Sequence, residues 1–250
     1  AALRESRILR KIAPDLVMPH PILIPIYASD RRSRWMIYLG ALLYSKLTFF
    51  AGSFRWPCLY FSAGAVLKEL PELNKDGLVG AVKIWDNISD DQKLVQATIE
   101  SSRANGARCF EHAEVQSYRY DFEKNAFELK IGGNSGLKKV WTKKLINAGG
   151  AWVDEIRERG KEREKDFILP LAGAHLNVNR FLPCSVLLQA RDGRFFFVIS
   201  HRNISRVGTT ERVVKNPDKV DATADEIDYL LGSVSRYFPT VKLSKKDILS

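Results

Sequence analysis

The chain has 250 residues, of which 45% are hydrophobic and 27% charged, a balance typical of folded rather than disordered proteins. Its 39 basic and 29 acidic residues give a net charge of +10, which favours anionic partners such as phosphorylated substrates or acidic lipids. The cysteines Cys58, Cys109 and Cys184 lie far apart and form no CxxC pair. The sequence therefore indicates neither a disulfide framework nor a metal site.

The first 50 residues predict one helix on each side of a proline-rich segment. Residues 2–13 form an amphipathic pattern that ends before Pro14. Pro19–Tyr27 has prolines at 19, 21 and 25, which predicts an edge strand or an extended loop, because proline donates no ladder hydrogen bond. Trp35–Tyr44 is shorter than the roughly 20 apolar residues of a membrane span. We expect a buried helix there, with a membrane-surface helix as the alternative.

The middle of the chain predicts a helix followed by a sheet. Ser89 and Gln92 have the spacing of a capping box, and Leu94, Val95 and Ile99 would lie on one helix face. Strand patterns then occupy Glu114–Asp121, Phe127–Ile131 and Val140–Asn147, with the glycine-rich turn 132–136 before the third. We expect an antiparallel meander, followed by a helix from about Trp152.

The C-terminal half predicts further strands and one helix. Strand patterns occupy His175–Asn179, Ser185–Ala190 and Phe195–Ser200, and the Asp192-Gly193 turn joins the last two as a hairpin. The final helix starts at Thr223, with Glu226 in its capping box, and ends before Pro239. Because helices and strands do not alternate regularly, the fold class is α+β with a mainly antiparallel sheet.

Two segments have the composition of ligand-binding turns. In Leu145–Asp154 an apolar strand runs into paired glycines and then a helix, so that the backbone could approach a ligand closely. In Asp192–Glu211 a strand and a basic loop lead to Gly208-Thr209-Thr210. Each pattern also suits a plain turn. The four histidines have no ligand spacing, and GxGxxG is absent from the 250 residues.

Several motifs together resemble one flavoprotein family. The family pattern APHLVxPLPFLLPVY is similar to Ala13–Tyr27, NAxGPW to Asn147–Trp152, and KGxHxVV to Ala172–Val178. The patterns DGRxFFVIPW…xGTTD and EEIxYLLxxVNRYFP are similar to Asp192–Glu211 and Asp225–Pro239. Because these matches keep their order along nearly the whole chain, the sequence resembles the FAD-dependent glycerol-3-phosphate dehydrogenases, within the D-amino-acid-oxidase-like flavoproteins.

The resemblance implies a substrate domain built on a mostly antiparallel sheet, interleaved with part of a Rossmann-like FAD-binding domain. It divides the chain into a helical substrate-side segment (1–105), part of the FAD-binding domain with the meander (106–160), and the substrate-domain sheet with the final helix (161–250). FAD is the implied cofactor, with contacts from Val115, Ala148, Gly149, Gly150 and Trp152. The implied reaction oxidises sn-glycerol 3-phosphate to dihydroxyacetone phosphate, with substrate-side candidates His175, Thr209 and Thr210.

The resemblance also implies partners beyond the substrate. Electrons would pass to quinone, the protein would be cytoplasmic and peripheral on the inner membrane, and a homodimer stays open. The basic cluster Arg31, Arg32 and Arg34 precedes Trp35 and suits contact with anionic headgroups. Elsewhere basic residues are spread along the chain, so nucleic acid is not an expected partner.

Some positions depart from the family pattern. The segments that would carry GxGxxG, GVRPL and most phosphate-binding residues do not occur, so we expect an internal fragment. Ala172 stands in place of Lys, Ser200 and His201 in place of Pro-Trp, and Glu211 in place of Asp. Another amino- or hydroxy-acid oxidase of the same group, or a catalytically inactive fragment, therefore stays open.

Overall fold

A computed structural model describes residues 2–30, 33–50, 52, 57–133, 136, 138–162, 164–218 and 220–250. The α-helices are α1 (Ala2–Ile12), α2 (Arg34–Phe50), α3 (Ala63–Glu69), α4 (Asp91–Ala104), α5 (Val153–Arg159) and α6 (Ala224–Tyr237). The strands are β1 (Val17–Tyr27), β2 (Leu59–Ser62), β3 (Leu78–Ser89), β4 (Glu114–Asp121), β5 (Ala126–Gly132), β6 (Lys138–Thr142), β7 (Leu171–Ala172), β8 (His175–Asn179), β9 (Ser185–Gln189), β10 (Phe195–His201), β11 (Ile204–Gly208) and β12 (Arg212–Val213). The predicted α+β class is confirmed.

The chain forms two compact units. Unit 1 comprises residues 1–96, 173–211 and 221–250, and unit 2 comprises residues 97–172 and 212–220. The assignment of segments 1–105, 106–160 and 161–250 to substrate or cofactor binding stays a prediction.

Unit 1 is built on a seven-stranded sheet with the order β2-β3-β1-β9-β10-β11-β8. Its strand pairs are antiparallel except for a short parallel contact between β1 and β9. One face carries the main core, where Val66 of α3 and Leu230 of α6 pack among Leu23, Val186 and Phe196 of the sheet. The predicted α6 capping box between Thr223 and Glu226 is present, and the helix ends at Tyr237, before Pro239.

Unit 2 contains the predicted meander, with the strand order β4-β5-β6 and antiparallel pairing throughout. Its third strand ends at Thr142 rather than Asn147, because residues 144–149 form an irregular segment before α5. The two-stranded ribbon of β7 and β12 belongs to the same unit. Asn134 and Ser135 of the predicted glycine-rich turn lie outside the described residues.

The edge position predicted for Pro19–Tyr27 is wrong. β1 lies inside the sheet, paired with β3 along its length and with β9 at Ile22 and Leu23. The prolines of β1 all lie at odd-numbered positions (19, 21 and 25). Because alternate residues of a strand direct their N–H groups to the same side, the missing donors all fall on one side of β1. The short contact with β9 tolerates that loss, since only two residues of β1 pair there.

The buried position expected for the Trp35–Tyr44 helix is also wrong. Only Ala41 and Thr48 of α2 are buried, and Ala41 packs with Ile26 and Val82 on the sheet face opposite the main core. The outward face of α2 is apolar, with Met36, Leu39 and Leu43 exposed. Within the described part of the chain, no helix has the length and apolar character needed to cross a membrane.

The helix predicted after Ser89 forms, but its cap and its face differ from the prediction. The backbone N–H of Lys93 donates to the Asp90 carboxylate, whereas Ser89 ends β3 and its hydroxyl donates to Asp91. No residue of α4 is buried, and Val95 is exposed. The capping box therefore fails because the strand continues through the serine.

Candidate functional site

The paired-glycine turn before α5 is held by the side chain of Asn147. Its Oδ1 accepts from the Gly149 N–H at 3.0 Å, and its Nδ2 donates to the Val153 carbonyl at 2.9 Å. Gly150 has φ +54°, a conformation that favours glycine. The amide of Asn147 thus fixes the backbone of Ala148–Gly150 from both ends, a role that the sequence interpretation did not assign.

The same turn leaves backbone accessible to a ligand. Ala148 and Gly150 are exposed, and Gly149 is half-buried. The Trp152 side chain is 41% exposed, and its Nε1 donates to the Asp218 carboxylate at 2.8 Å. Trp152 therefore borders the turn with one indole edge fixed and much of its surface open to solvent.

Val115 lies at an irregular point of the meander. The β4–β5 register shifts between Val115 and Ser117, which leaves Gln116 in a bulge. The Val115 carbonyl accepts from Arg159 at 2.7 Å, and the same guanidinium forms an ion pair with Glu114 at 2.7 Å. Because Arg159 ends α5, the helix that follows the glycine turn also anchors the start of β4.

A cleft of about 490 Å³ opens beside this bulge. It is lined by Phe110, His112, Ala113, Glu114, Gln116, Gly132 and Gly133. A side chain at Gly133 would meet the His112 carbonyl oxygen at 2.6 Å, so the backbone beside the cleft would have to shift to accept one. Phe110 gives this cleft an aromatic side chain on which a flat ligand could stack.

Asp154 anchors the start of α5 in the interior of unit 2. It is 6% exposed and accepts hydrogen bonds from Arg157 and from the Phe167 and Ile168 N–H groups. Burial alone would raise the pKa of Asp154, but these hydrogen bonds outweigh it and the pKa lies below its usual value. The helix is therefore held by an ionised carboxylate.

In unit 1, His175 and Gly208 lie directly opposite each other on β8 and β11. A side chain at Gly208 would meet the His175 ring at 2.5 Å, so the imidazole packs over a residue that must stay small. Burial, with a smaller effect from the Arg206 charge, lowers the pKa of His175. A neutral imidazole at this position can accept a proton.

The two threonines after Gly208 have different environments. The Thr210 hydroxyl accepts from the Ala174 N–H at 2.8 Å and donates to the Glu226 carboxylate at 2.6 Å, all in the interior. Thr209 is exposed, and its hydroxyl donates to the Thr210 carbonyl. The structure therefore groups His175, Thr209 and Thr210, and it leaves Thr209 the more accessible hydroxyl.

Two departures from the family pattern belong to a polar network in the unit 1 sheet. The Ser185 hydroxyl contacts His20 Nε2 at 2.6 Å and accepts from the Ser200 N–H at 2.9 Å. The Ser200 hydroxyl in turn contacts Ser205 at 3.2 Å. His20 stands where the pattern has Leu, so His20 and Ser200 depart from it in one place. His201 and Glu211 are exposed, whereas Ala172 is buried.

Metal ligands do not converge in the part of the chain that the structure describes. Among those residues, no group of three or more His, Cys, Asp or Glu side chains could hold a metal ion.

Comparison with known proteins identifies the family. The family model described as FAD dependent oxidoreductase matches residues 1–250. The chain belongs to this family.

Two curated relatives of this chain are named for glycerol phosphate. The aerobic glycerol-3-phosphate dehydrogenase of Staphylococcus epidermidis is 27% identical over 254 residues, covering 99% of this chain and 45% of that protein. The alpha-glycerophosphate oxidase of Enterococcus casseliflavus is 29% identical over 257 residues, covering 98% and 42%. The chain thus spans less than half the length of either relative.

A solved structure agrees with these relatives. The glycerol-3-phosphate dehydrogenase from Bacillus halodurans, complexed with FAD, has a TM-score of 0.81 and 25% identity, covering 100% of this chain and 46% of that one. The resemblance read from the motifs, and FAD as the family's cofactor, are confirmed. The contacts assigned to Val115, Ala148, Gly149, Gly150, Trp152, His175, Thr209 and Thr210 stay predictions.

Proposed function

We propose that the protein is an FAD-dependent enzyme that oxidises sn-glycerol 3-phosphate to dihydroxyacetone phosphate. The observation that supports this most is the likeness of the chain to a glycerol-3-phosphate dehydrogenase complexed with FAD, which covers 100% of this chain at a TM-score of 0.81. Bound FAD would supply the acceptor for the hydride removed from the alcohol carbon.

The described residues fit part of this cofactor. In unit 2, the glycine turn at Ala148–Gly150 presents exposed backbone, Gln116 is exposed in the bulge after Val115, and Gly133 lines the neighbouring cleft. We assign the FAD contacts to these residues and to Trp152. In unit 1, we assign to His175 the uptake of the substrate's hydroxyl proton, since its pKa is lowered and its ring is not fully covered.

Oxidation of an amino acid or another hydroxy acid is the alternative within the same flavoprotein group. Dye-coupled turnover of the flavin-loaded protein distinguishes the two, with sn-glycerol 3-phosphate, glycine, proline and lactate as substrates. We expect turnover with the phosphate ester alone. Turnover with an amino or hydroxy acid, and none with sn-glycerol 3-phosphate, would contradict the proposal.

We further propose that the electrons pass to a membrane quinone and that α2 contacts the bilayer surface. Met36, Leu39, Leu43, Leu47 and Phe50 recur at helical spacing and are each 49–81% exposed. Such a stripe suits burial in the headgroup region of a membrane. The 17 residues of α2 are fewer than the roughly 20 needed to cross a bilayer, which suits a helix lying on the surface.

The charge beside this stripe supports an anionic surface as its partner. α1 carries Arg4, Arg7 and Lys11 in exposed positions. A side chain at Gly52, just beyond the end of α2, would meet the Arg7 guanidinium at 3.0 Å, so α1 borders α2. Each basic residue near an anionic bilayer contributes about 1 kcal/mol. Arg31 and Arg32, which the sequence also placed in this contact, lie outside the described residues.

Co-sedimentation with phosphatidylglycerol vesicles at low salt tests the contact. We expect the double variant Leu39→Glu/Leu43→Glu to lose binding, whereas Val95→Glu, on the exposed face of α4, should bind like the parent. Equal vesicle binding by the double variant and the parent would exclude α2 as the membrane contact. If the parent does not bind vesicles but self-associates, and the double variant does not self-associate, the stripe is instead an interface between two copies.

A further inference from the structure

One row of polar side chains lies on the face of β8 and β11 opposite the main core. Leu176 and Val207 point into that core, so the alternation of the strands places His175, Asn177, Arg206 and Gly208 on the other face. Arg206 lies directly opposite Asn177, and Gly208 directly opposite His175. Arg206 and His175 are therefore diagonal neighbours, about 7–8 Å apart along the sheet and within reach of a long side chain.

The guanidinium of Arg206 is oriented by its cross-strand partner. Its Nε donates to Asn177 Oδ1 at 3.0 Å, and the Asn177 amide in turn donates to the Ser250 hydroxyl at 2.9 Å. No carboxylate among the described residues forms an ion pair with Arg206. The bond through Nε leaves the two terminal nitrogens for a ligand, and such a fork binds the oxygens of a phosphate in pairs.

Arg206 is exposed, as are His175 and Thr209 at the same end of the β8–β11 pair. The close packing of His175 on Gly208 brings its imidazole toward β11, the strand that carries Arg206. A cation, a neutral imidazole and a hydroxyl thus occur together. This combination matches a ligand that has both a phosphate group and alcohol hydroxyls.

We propose that Arg206, oriented by Asn177, binds the phosphate group of the substrate and so selects a phosphorylated polyol over an unphosphorylated one. This inference rests on the proposed function, since it specifies which group recognises the phosphate of sn-glycerol 3-phosphate.

The test is a titration of the protein with inorganic phosphate and with sn-glycerol 3-phosphate. Binding is monitored by the NMR signals of the histidine rings, and glycerol is the uncharged control ligand. We expect both phosphates to shift the His175 signal and glycerol to leave it unchanged at the same concentration. Arg206→Met should weaken phosphate binding about tenfold or more, as loss of a charge-assisted hydrogen bond does. It should also raise the pKa of His175, because a neighbouring positive charge is removed.

Arg191→Met, in the exposed β9–β10 turn, is the matched control and should bind phosphate like the parent. Equal phosphate affinity in Arg206→Met and the parent would overturn the inference. If flavin reduction by sn-glycerol 3-phosphate also survives Arg206→Met with unchanged KM, the proposed function stands without this residue. If phosphate binding depends on Arg206 but sn-glycerol 3-phosphate never reduces the flavin, the anion site stands and the proposed function fails.

Discussion

Thr210 and Glu226 share a buried hydrogen bond of 2.6 Å between a hydroxyl and a carboxylate. The second oxygen of Glu226 accepts from the Thr223 N–H in the α6 capping box. The Thr210 hydroxyl also accepts from the Ala174 N–H, next to His175. One carboxylate therefore joins the cap of α6 to the β-strand ends that carry the substrate-side candidates.

Thr210→Val should destabilise the protein by about 1–3 kcal/mol, because the Ala174 N–H and a Glu226 oxygen lose their buried partner. Thr210→Ser keeps the hydroxyl and should cost less. Thr209→Val serves as the control, since that hydroxyl is exposed and bonds only to the neighbouring carbonyl. Urea unfolding measures the three free energies. Equal losses at positions 209 and 210 would show that the buried bond is not the cause.

Asn147→Asp should lower the flavin content of the purified protein. Aspartate keeps the acceptor for the Gly149 N–H but loses the donor to the Val153 carbonyl, so the turn is held at one end only. Asn105→Asp is the control, because that side chain donates only within the last turn of α4. The ratio of flavin to protein after gel filtration is the measurement. Unchanged flavin in Asn147→Asp would separate the turn from cofactor binding.

Gly150→Ala should cost about 1–2 kcal/mol of stability, since alanine is strained at φ +54° although no atom obstructs its side chain. Flavin content should fall with it, because the turn backbone must shift. Gly64→Ala in α3 is a matched exchange at an unstrained helical position with open space, and it should be neutral or stabilising. A stable, flavin-free Gly64→Ala protein would undermine this comparison.

The stability of the protein should fall at acidic pH partly through Asp154. Its pKa is lower in the folded protein than in the unfolded chain, so the ionised form stabilises the fold above about pH 4. That contribution is lost as the pH falls through the folded pKa. Asp154→Asn should be less stable near neutral pH and should lose less on acidification. Urea unfolding of the parent and of Asp154→Asn at neutral and acidic pH is the measurement. If the free energies of unfolding of the two proteins depend on pH in the same way, this carboxylate has no such role.

The sequence predicted those elements whose signals are local. The meander, the β9–β10 hairpin and α6 each have turn glycines or a capping pair that mark their ends, and all three are confirmed. β3 was missed because Leu78–Ser89 mixes apolar and polar residues without regular alternation, and its pairing with β1 is a long-range contact. The exposure of α2 could not be predicted, since a run of apolar residues does not show what covers it.

The candidate site was predictable only in part, because only some of its residues are close together in the sequence. The glycine turn and the Gly208-Thr209-Thr210 segment were found because their residues are adjacent in sequence. Asn147 and Arg206 were missed because their roles depend on partners that only the folded chain brings near, namely the Val153 carbonyl and Asn177. A cross-strand pair between two polar residues leaves no pattern in a single sequence.

The proposed function requires that FAD bound to this protein take electrons from sn-glycerol 3-phosphate. The most direct test is anaerobic mixing of the flavin-loaded protein with that substrate while the visible absorbance of the flavin is followed. We expect stoichiometric bleaching by sn-glycerol 3-phosphate and none by glycerol, glycine or proline. Bleaching by an amino acid, with no response to sn-glycerol 3-phosphate, would contradict the proposed function.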